Sequence, residues 1–281
     1  MSQLRRIVVA AALLGLALTG CSSASEGPNP EPAPVPGATT NGRLTIGIPF
    51  DQPGIGMKNG ETYSGFDVET AKYVAKALGV PEANITWKES TGAARETMLT
   101  SGEVDLVVSN YTINDARKQV VDFAGPYFIA HQDLLVRRNE TEITGPETLN
   151  GKDLCTIAGT TSAENVLNFY RGRINLKELP QFSDCVRALA ASEVDAVTTD
   201  DVILAGFAAD PQYRGALKVI GKGFSDENYG IGIKKGNTAL VEQVNAALKQ
   251  YVADGSWEAA LKITVAPSGY NLPDPPTPGS A

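Results

Sequence analysis

Residues 105–128 read DLVVSNYTINDARKQVVDFAGPYF. Leu106, Val107 and Val108 in succession mark Asp105 to Ser109 as a strand covered on both faces, because a strand wetted on one side alternates polar and apolar positions. Its exit is polar. Asn110 and Thr112 carry hydrogen-bonding side chains, Asn114 is placed to cap a short helix, and Arg117 follows within about a turn. A surface arginine is the plain reading of Arg117 taken alone, so the rest of the chain has to decide what this exit is for.

A weak internal repeat points to a second exit of the same kind. Gly102 to Val107, GEVDLV, resembles Ser192 to Val197, SEVDAV, and each copy follows a helical pattern ending near a leucine. The first exit is Ser109-Asn110-Tyr111-Thr112, the second Thr198-Thr199-Asp200-Asp201. Open α/β sheets bind ligands in the crevice beyond their strand ends, and two such edges facing each other make a cleft.

Outward from these copies, residues 43 to 266 alternate short apolar strands with helical patterns, the signature of α/β architecture. Strands are expected at Leu44 to Ile48, Ile85 to Lys88 and Leu154 to Ile157. Helices are expected from Asp67, read as the N-cap, to a stop at Gly79, around Arg95 to Ser101, at Thr238 to Ala253 and at Ser256 to Lys262. In Gly159 to Glu164, GTTSAE, Thr161 and Glu164 have capping-box spacing, so a helix should begin there with its unbonded N–H groups toward the cleft, where a carboxylate is welcome.

The ends read differently. Residues 1–21 place Arg5 and Arg6 before an apolar run from Ile7 to Leu18 and small residues before Cys21, an export signal whose apolar run is too short for the roughly 20 residues a spanning helix needs. Leu18-Thr19-Gly20-Cys21 resembles the bacterial lipobox, which implies a signal peptide over 1–20 and lipid attachment at Cys21. Residues 21–42 then read as a Pro-, Ser- and Gly-rich disordered tether, and 267–281 as a disordered tail. Outside the cytoplasm Cys155 and Cys185 are expected to pair, two buried thiols being the alternative.

A net charge of -8 and a pI near 4.8 exclude a phosphate-neutralising surface and hence a nucleic-acid partner. One histidine, His131, and no cysteine pair at ligand spacing argue against a metal, and no cofactor fingerprint is present. If the first exit contributes Arg117 with Thr112 and the second Asp200, a cation faces an anion across a gap, which complements a zwitterion; amino acids are the commonest small ones.

Several stretches resemble a known family: Phe50 to Gly60 (FDQPGIGMKNG), Gly65 to Gly79, Tyr111 to Phe128, Val194 to Gly206 and Asn228 to Asn237. They are similar to the amino-acid-binding members of the family 3 extracellular solute-binding proteins, closest to lipid-anchored glutamate-binding proteins of actinobacterial ABC transporters. The resemblance implies a periplasmic-binding-protein-like fold with the ligand between two α/β lobes. Lobe 1 is expected over 43–136 plus 228–266 and lobe 2 over 137–227, with crossings near Leu134 to Arg138 and Gly223 to Tyr229.

It further implies that Arg117 binds an α-carboxylate, that Asn110, Thr112, Thr160 and Thr161 meet the ligand's main-chain portion, and that Asp200 accepts the α-ammonium. Phe50 and Gln52 should line the cleft mouth, and Arg95 should meet a distal acidic group. Such relatives often carry a basic residue where this chain has Pro49, so Lys58 is the candidate replacement. The implied partners are an amino acid, glutamate first, then aspartate, glutamine or asparagine, and an ABC permease, with the protein a monomer tethered to the outer face of the cytoplasmic membrane. The alternatives are a sensor feeding a membrane receptor and a cyclohexadienyl-dehydratase-like enzyme; the reading favours no enzyme, because the only histidine lies outside the matched positions.

Overall fold

The structure, a computed structural model, describes residues 42–169 and 173–280. The expected signal peptide, Cys21 and the tether up to residue 41 lie outside the described residues. The chain runs β1 Leu44–Ile48, β2 Asp51–Gln52, β3 Gly56–Asn59, β4 Thr62–Ser64, α1 Phe66–Ala77, β5 Ile85–Glu89, α2 Arg95–Ser101, β6 Leu106–Thr112, α3 Asp115–Val120 and β7 Val121–Ala130. It continues through β8 Gln132–Arg137, β9 Asp153–Thr156, α4 Thr161–Phe169, β10 Asn175–Glu178, α5 Phe182–Ala190, β11 Ala196–Asp200, α6 Asp201–Ala209 and β12 Leu217–Val219. The last elements are β13 Glu227–Lys234, α7 Thr238–Ala253 and α8 Ser256–Thr264.

Two sheets share one plan. The first has the order β5-β1-β6-β13-β7 and the second β10-β9-β11-β8-β12. In each, three parallel strands are followed by an antiparallel strand that arrives from the other lobe, and then by an antiparallel edge. Strand β6 is buried along nearly its whole length, as its run of apolar residues predicts, and β11 is buried throughout.

The sequence repeat is a structural repeat. Gly102 and Ser192 both end a helix at positive φ, 77° and 61°. The carboxylate of Asp105 accepts from the Thr45 N–H at 2.7 Å, and that of Asp195 accepts from the Asp153 N–H at 2.9 Å. Each aspartate thus ties the start of one parallel strand to the start of its neighbour, which sets the register that brings both strand ends to the cleft. The disulfide joins Cys155 in β9 to Cys185 in α5, within the second lobe.

Three expectations are corrected. The first crossing falls at His131, between β7 and β8, rather than near Leu134 to Arg138, because Gln132 is already paired in the second sheet opposite Asp200. Asp67 does not cap α1: the N-cap is Gly65, and the Asp67 carboxylate is buried, accepting instead from the Asn110 N–H at 2.9 Å and the Tyr127 hydroxyl at 2.7 Å. The tail, expected to be disordered from its proline content, lies against the body. Tyr270 donates to Asp201 at 3.0 Å and packs on Phe128, Leu272 packs on the core, and the Gly279 N–H reaches the Gly125 carbonyl at 2.7 Å. Two apolar anchors among many prolines suffice, since proline lowers the entropy lost on ordering.

Candidate functional site

The two exits meet. Arg95, Asn110, Thr112 and Arg117 from the first lobe and Thr160, Thr161, Ser162, Phe182, Thr199 and Asp200 from the second line one small compartment. A second compartment adjoins it, reaching out past Arg95 and Asn110 to Phe50, Gln52 and Ser90 on one side and Gln181 on the other.

The α3 helix aims Arg117. Asn114 caps it, accepting from the Arg117 N–H at 2.9 Å as the spacing predicts, so the side chain starts from a fixed turn. The guanidinium is 6% exposed; Nη1 donates to the Thr112 carbonyl at 2.7 Å and Nη2 to the Gly159 carbonyl at 3.1 Å. One hydrogen on each terminal nitrogen is left without a protein acceptor among the described residues, the fork a carboxylate fits.

Arg95 lies beside it. Its Nε donates to Gly92, Nη1 to Ser109 and Asn110, and Nη2 to Gly159, all main-chain carbonyls at 3.1 to 3.3 Å, which commits four of a guanidinium's five hydrogens. Both cations stand over the Tyr111 ring, at 4.6 and 5.0 Å from its centroid, and Tyr111 in turn donates to Glu96 at 2.5 Å. Burial, then the neighbouring Arg117 charge, lowers the Arg95 pKa to about 10. Glu96 stands 3.7 Å from the Arg117 Nε as one counter-ion to this buried pair of like charges, which leaves a surface that favours an anion.

Opposite them, Asp200 ends β11 at 5% exposure. Tyr229 donates to its Oδ2 at 2.5 Å, while Oδ1 is buried without a hydrogen-bond partner among the described residues. Burial first, and then the negative charge of Glu227, push its carboxyl well above the usual carboxylate range, so a cation placed there would be strongly welcome.

Asn110 sits at the turn between these groups with φ of +37°, a strained value for a residue with a side chain. Three contacts hold it there: Asp67 takes its N–H, Arg95 donates to its carbonyl, and its amide donates to Gln52 at 2.7 Å. Asp67 itself is pushed up to about 7 by burial, against the bonds from Tyr127 and Asn110.

The helix at the second lobe's edge begins at Thr161, as its spacing suggests, but with a different cap. Thr160, not Thr161, is the cap, its hydroxyl accepting from the Ala163 N–H at 3.1 Å. Gly159 is required before it: φ is +75°, and a Cβ would meet the Ala93 backbone at 2.7 Å across the cleft. Lys58 is exposed and lines neither compartment; its ammonium stands 5.1 Å from the Phe50 ring centroid and 5.8 Å from that of Tyr63, at the mouth.

The lobes are closed on each other. Besides both arginines on Gly159, the Ser183 N–H reaches Asp51 at 3.0 Å and the Gln181 amide reaches Glu89 at 2.6 Å. A Cβ on Gly206 would meet the Pro53 carbonyl oxygen at 2.0 Å.

This arrangement matches proteins of known type. The sequence model of bacterial extracellular solute-binding proteins, family 3, matches residues 44–263. The chain belongs to this family. Among relatives, it is similar to the glutamate-binding protein GluB of Corynebacterium glutamicum, 40% identical over 266 residues that cover 91% of this chain and 88% of the relative. It is also similar to the ABC transporter glutamine-binding protein GlnH of Bacillus subtilis, 34% identical, covering 79% and 81%. Among solved structures, an ancestral arginine-binding protein bound to arginine aligns with a TM-score of 0.74 at 32% identity, over 79% of this chain and 98% of that one.

Sequence reasoning missed several cleft groups of this solute-binding protein. Ser162 and Thr199 adjoin predicted residues, whereas Tyr229, Phe182 and Glu227 come from elements with no polar signature of a site. Glu227 had one available signal, an acid opening a mostly buried strand.

Proposed function

We propose that this family 3 protein captures an amino acid outside the cytoplasm and delivers it to an ABC permease, with glutamate the first ligand. The observation that carries this reading is the charge layout of one closed compartment. Two buried guanidiniums face a buried carboxylate oxygen that has no partner. An acidic amino acid has the complementary layout of two carboxylates and one ammonium. In this assignment Arg117 takes the α-carboxylate, Asp200 the α-ammonium, and the remaining hydrogen of Arg95 the distal carboxylate at the edge of the adjoining compartment. Asn110, Thr112, Thr160 and Thr161 line the main-chain portion, and Phe50 and Gln52 the mouth; Lys58 contributes charge from outside. The names of the GluB relatives support glutamate, and that of GlnH supports the same site serving the amide.

Closure follows from ligand contact with both lobes, since a ligand shifts the equilibrium only by its difference in affinity for the two states. Transfer to a permease then needs the reverse opening. The export signal and the lipobox-like Leu18 to Cys21 support tethering at the membrane, which Cys21→Ala would convert to release into the medium.

Calorimetry with glutamate and glutamine tests the reading. Glutamate binds the unsubstituted protein more tightly, and Arg95→Ala weakens glutamate far more than glutamine. Equal losses for both remove the distal role of Arg95, and failure to bind any standard amino acid removes the whole assignment.

A further inference from the structure

Glu227, the first residue of β13, is 3% exposed and lies behind the compartment where the chain makes its second crossing. Its Oε2 accepts from the Thr112 hydroxyl of the first lobe at 2.7 Å and from the Thr161 hydroxyl of the second at 2.8 Å. Its Oε1 accepts from the Gln132 amide and the Ser225 hydroxyl, both at 2.8 Å. Gln132 is itself the first strand residue after the other crossing, and its amide oxygen accepts from Asn165 of α4 at 3.0 Å.

The count fixes direction. A carboxylate has about four lone-pair sites and no hydrogen to give. Four donors fill them here, so each of the three hydroxyls must point its hydrogen at Glu227. Thr112 and Thr161 both line the compartment. With their hydrogens spent on Glu227, they can show it only acceptor lone pairs, beside the unpartnered Oδ1 of Asp200.

We infer that Glu227 is a positioning residue that sets the polarity of two threonine hydroxyls, one from each lobe, so that with Asp200 they form an acceptor cage for the ligand's α-ammonium. The inference rests on the amino-acid reading above. An ammonium has three hydrogens, and the cage offers three acceptors, two of which are brought together only when the lobes close. Recognition of the cation and closure of the cleft are then the same event. Glu227 touches no ligand atom in this account; it acts through Thr112 and Thr161.

A double-mutant cycle on the full chain tests this, with glutamate as the probe in calorimetry. Glu227→Gln removes the charge and replaces two acceptor sites with an amide N–H₂, so four donors compete for one oxygen and the threonine hydroxyls are no longer held as acceptors toward the cleft. Binding should weaken at least about tenfold, as expected for losing a charge-assisted bond. In a Thr112→Val or Thr161→Val background the same change should cost less, because one of the two hydroxyls it acts through is already gone. An equal loss in all three backgrounds would mean that Glu227 acts as a bare charge or a strut, and would overturn the inference. So would binding by Glu227→Gln within about twofold of the unsubstituted protein. Should Glu227→Gln not fold, Thr161 decides: Thr161→Val loses at least about tenfold, Thr161→Ser, which keeps the hydroxyl, loses less, and a Thr161→Val that binds normally overturns the inference. If the unsubstituted protein binds no amino acid, the reading fails together with this inference, an outcome distinct from any of these.

Discussion

The exits of β6 and β11 begin from the same six-residue motif and finish with opposite charge. Both strands are preceded by a helix that stops in the left-handed region and by an aspartate that ties neighbouring strand starts. Beyond that point the first exit turns into α3 and delivers Arg117, with Arg95 from α2 beneath it, while the second ends on Asp200. The shared half is scaffold and the divergent half is chemistry. A duplicated frame can therefore present a cation from one side and an anion from the other, which is what a zwitterion held between two lobes requires.

The largest expected effect tests the divergent half. Arg117→Ala and Asp200→Asn should each weaken amino-acid binding by about 4 kcal/mol, roughly a thousandfold, since each leaves one ligand charge buried without its partner. Calorimetry reads both, and a loss confined to one of them would mean that the two exits do not share a ligand.

The lobes also differ in how they are secured. The second is stapled by Cys155–Cys185, closing a loop with a sequence separation of 30, and the first contains no cysteine. Cys155→Ala with Cys185→Ala should cost about 3 kcal/mol of unfolding free energy in denaturant melts by the chain-entropy argument. Destabilisation should appear in the second lobe's hydrogen exchange before the first's.

In the first lobe the corresponding weak point is a buried acid. Asp67 has its folded pKa raised from 3.8 to about 7, so the folded state keeps a proton that the unfolded state has lost. Its contribution to stability is full below about pH 4 and declines as pH rises through about 7. Between about pH 5 and about pH 8 the loss is on the order of 2 kcal/mol. Melts of Asp67→Asn across this range should show a smaller decline than the unsubstituted protein; an unchanged slope would place the pH dependence elsewhere.

The smallest effect tests the shared half. Ser192 occupies a position where its counterpart is Gly102, at φ of 61° and 77° respectively. Ser192→Gly should stabilise by about 0.5 kcal/mol and Gly102→Ser should destabilise by about 1 kcal/mol, because only the backbone preference changes; a Cβ at Gly102 meets nothing within 4 Å. Thermal melts of the pair would show whether the two turns are equivalent.

Much of the site was legible because short-range rules govern it. An apolar run marked β6, the repeat marked β11, Asn114 marked the start of α3, and resemblance carried Arg117, Thr112 and Asp200 onto facing edges. Misreadings arose where a side chain had a choice of partners. Asp67 stands in a plausible capping position and Thr161 has capping-box spacing, yet each bonds a residue far along the chain instead, Asn110 and Tyr127 for one and Glu227 for the other. Local spacing lists the bonds a residue could make, and packing decides which of them is made.

Periodicity and turn chemistry were enough to specify α/β architecture and polar strand exits, because hydrophobic pattern, caps and left-handed turns act within a few residues, and the resemblance added two lobes with opposed charges at those exits. The bonds of Arg95 and Arg117 to the Gly159 carbonyl and the joining of Thr112 and Thr161 on Glu227 arose from closure. Those bonds join groups distant in sequence inside a water-poor cleft, where an unmet polar atom is costly enough to dictate which partner it takes.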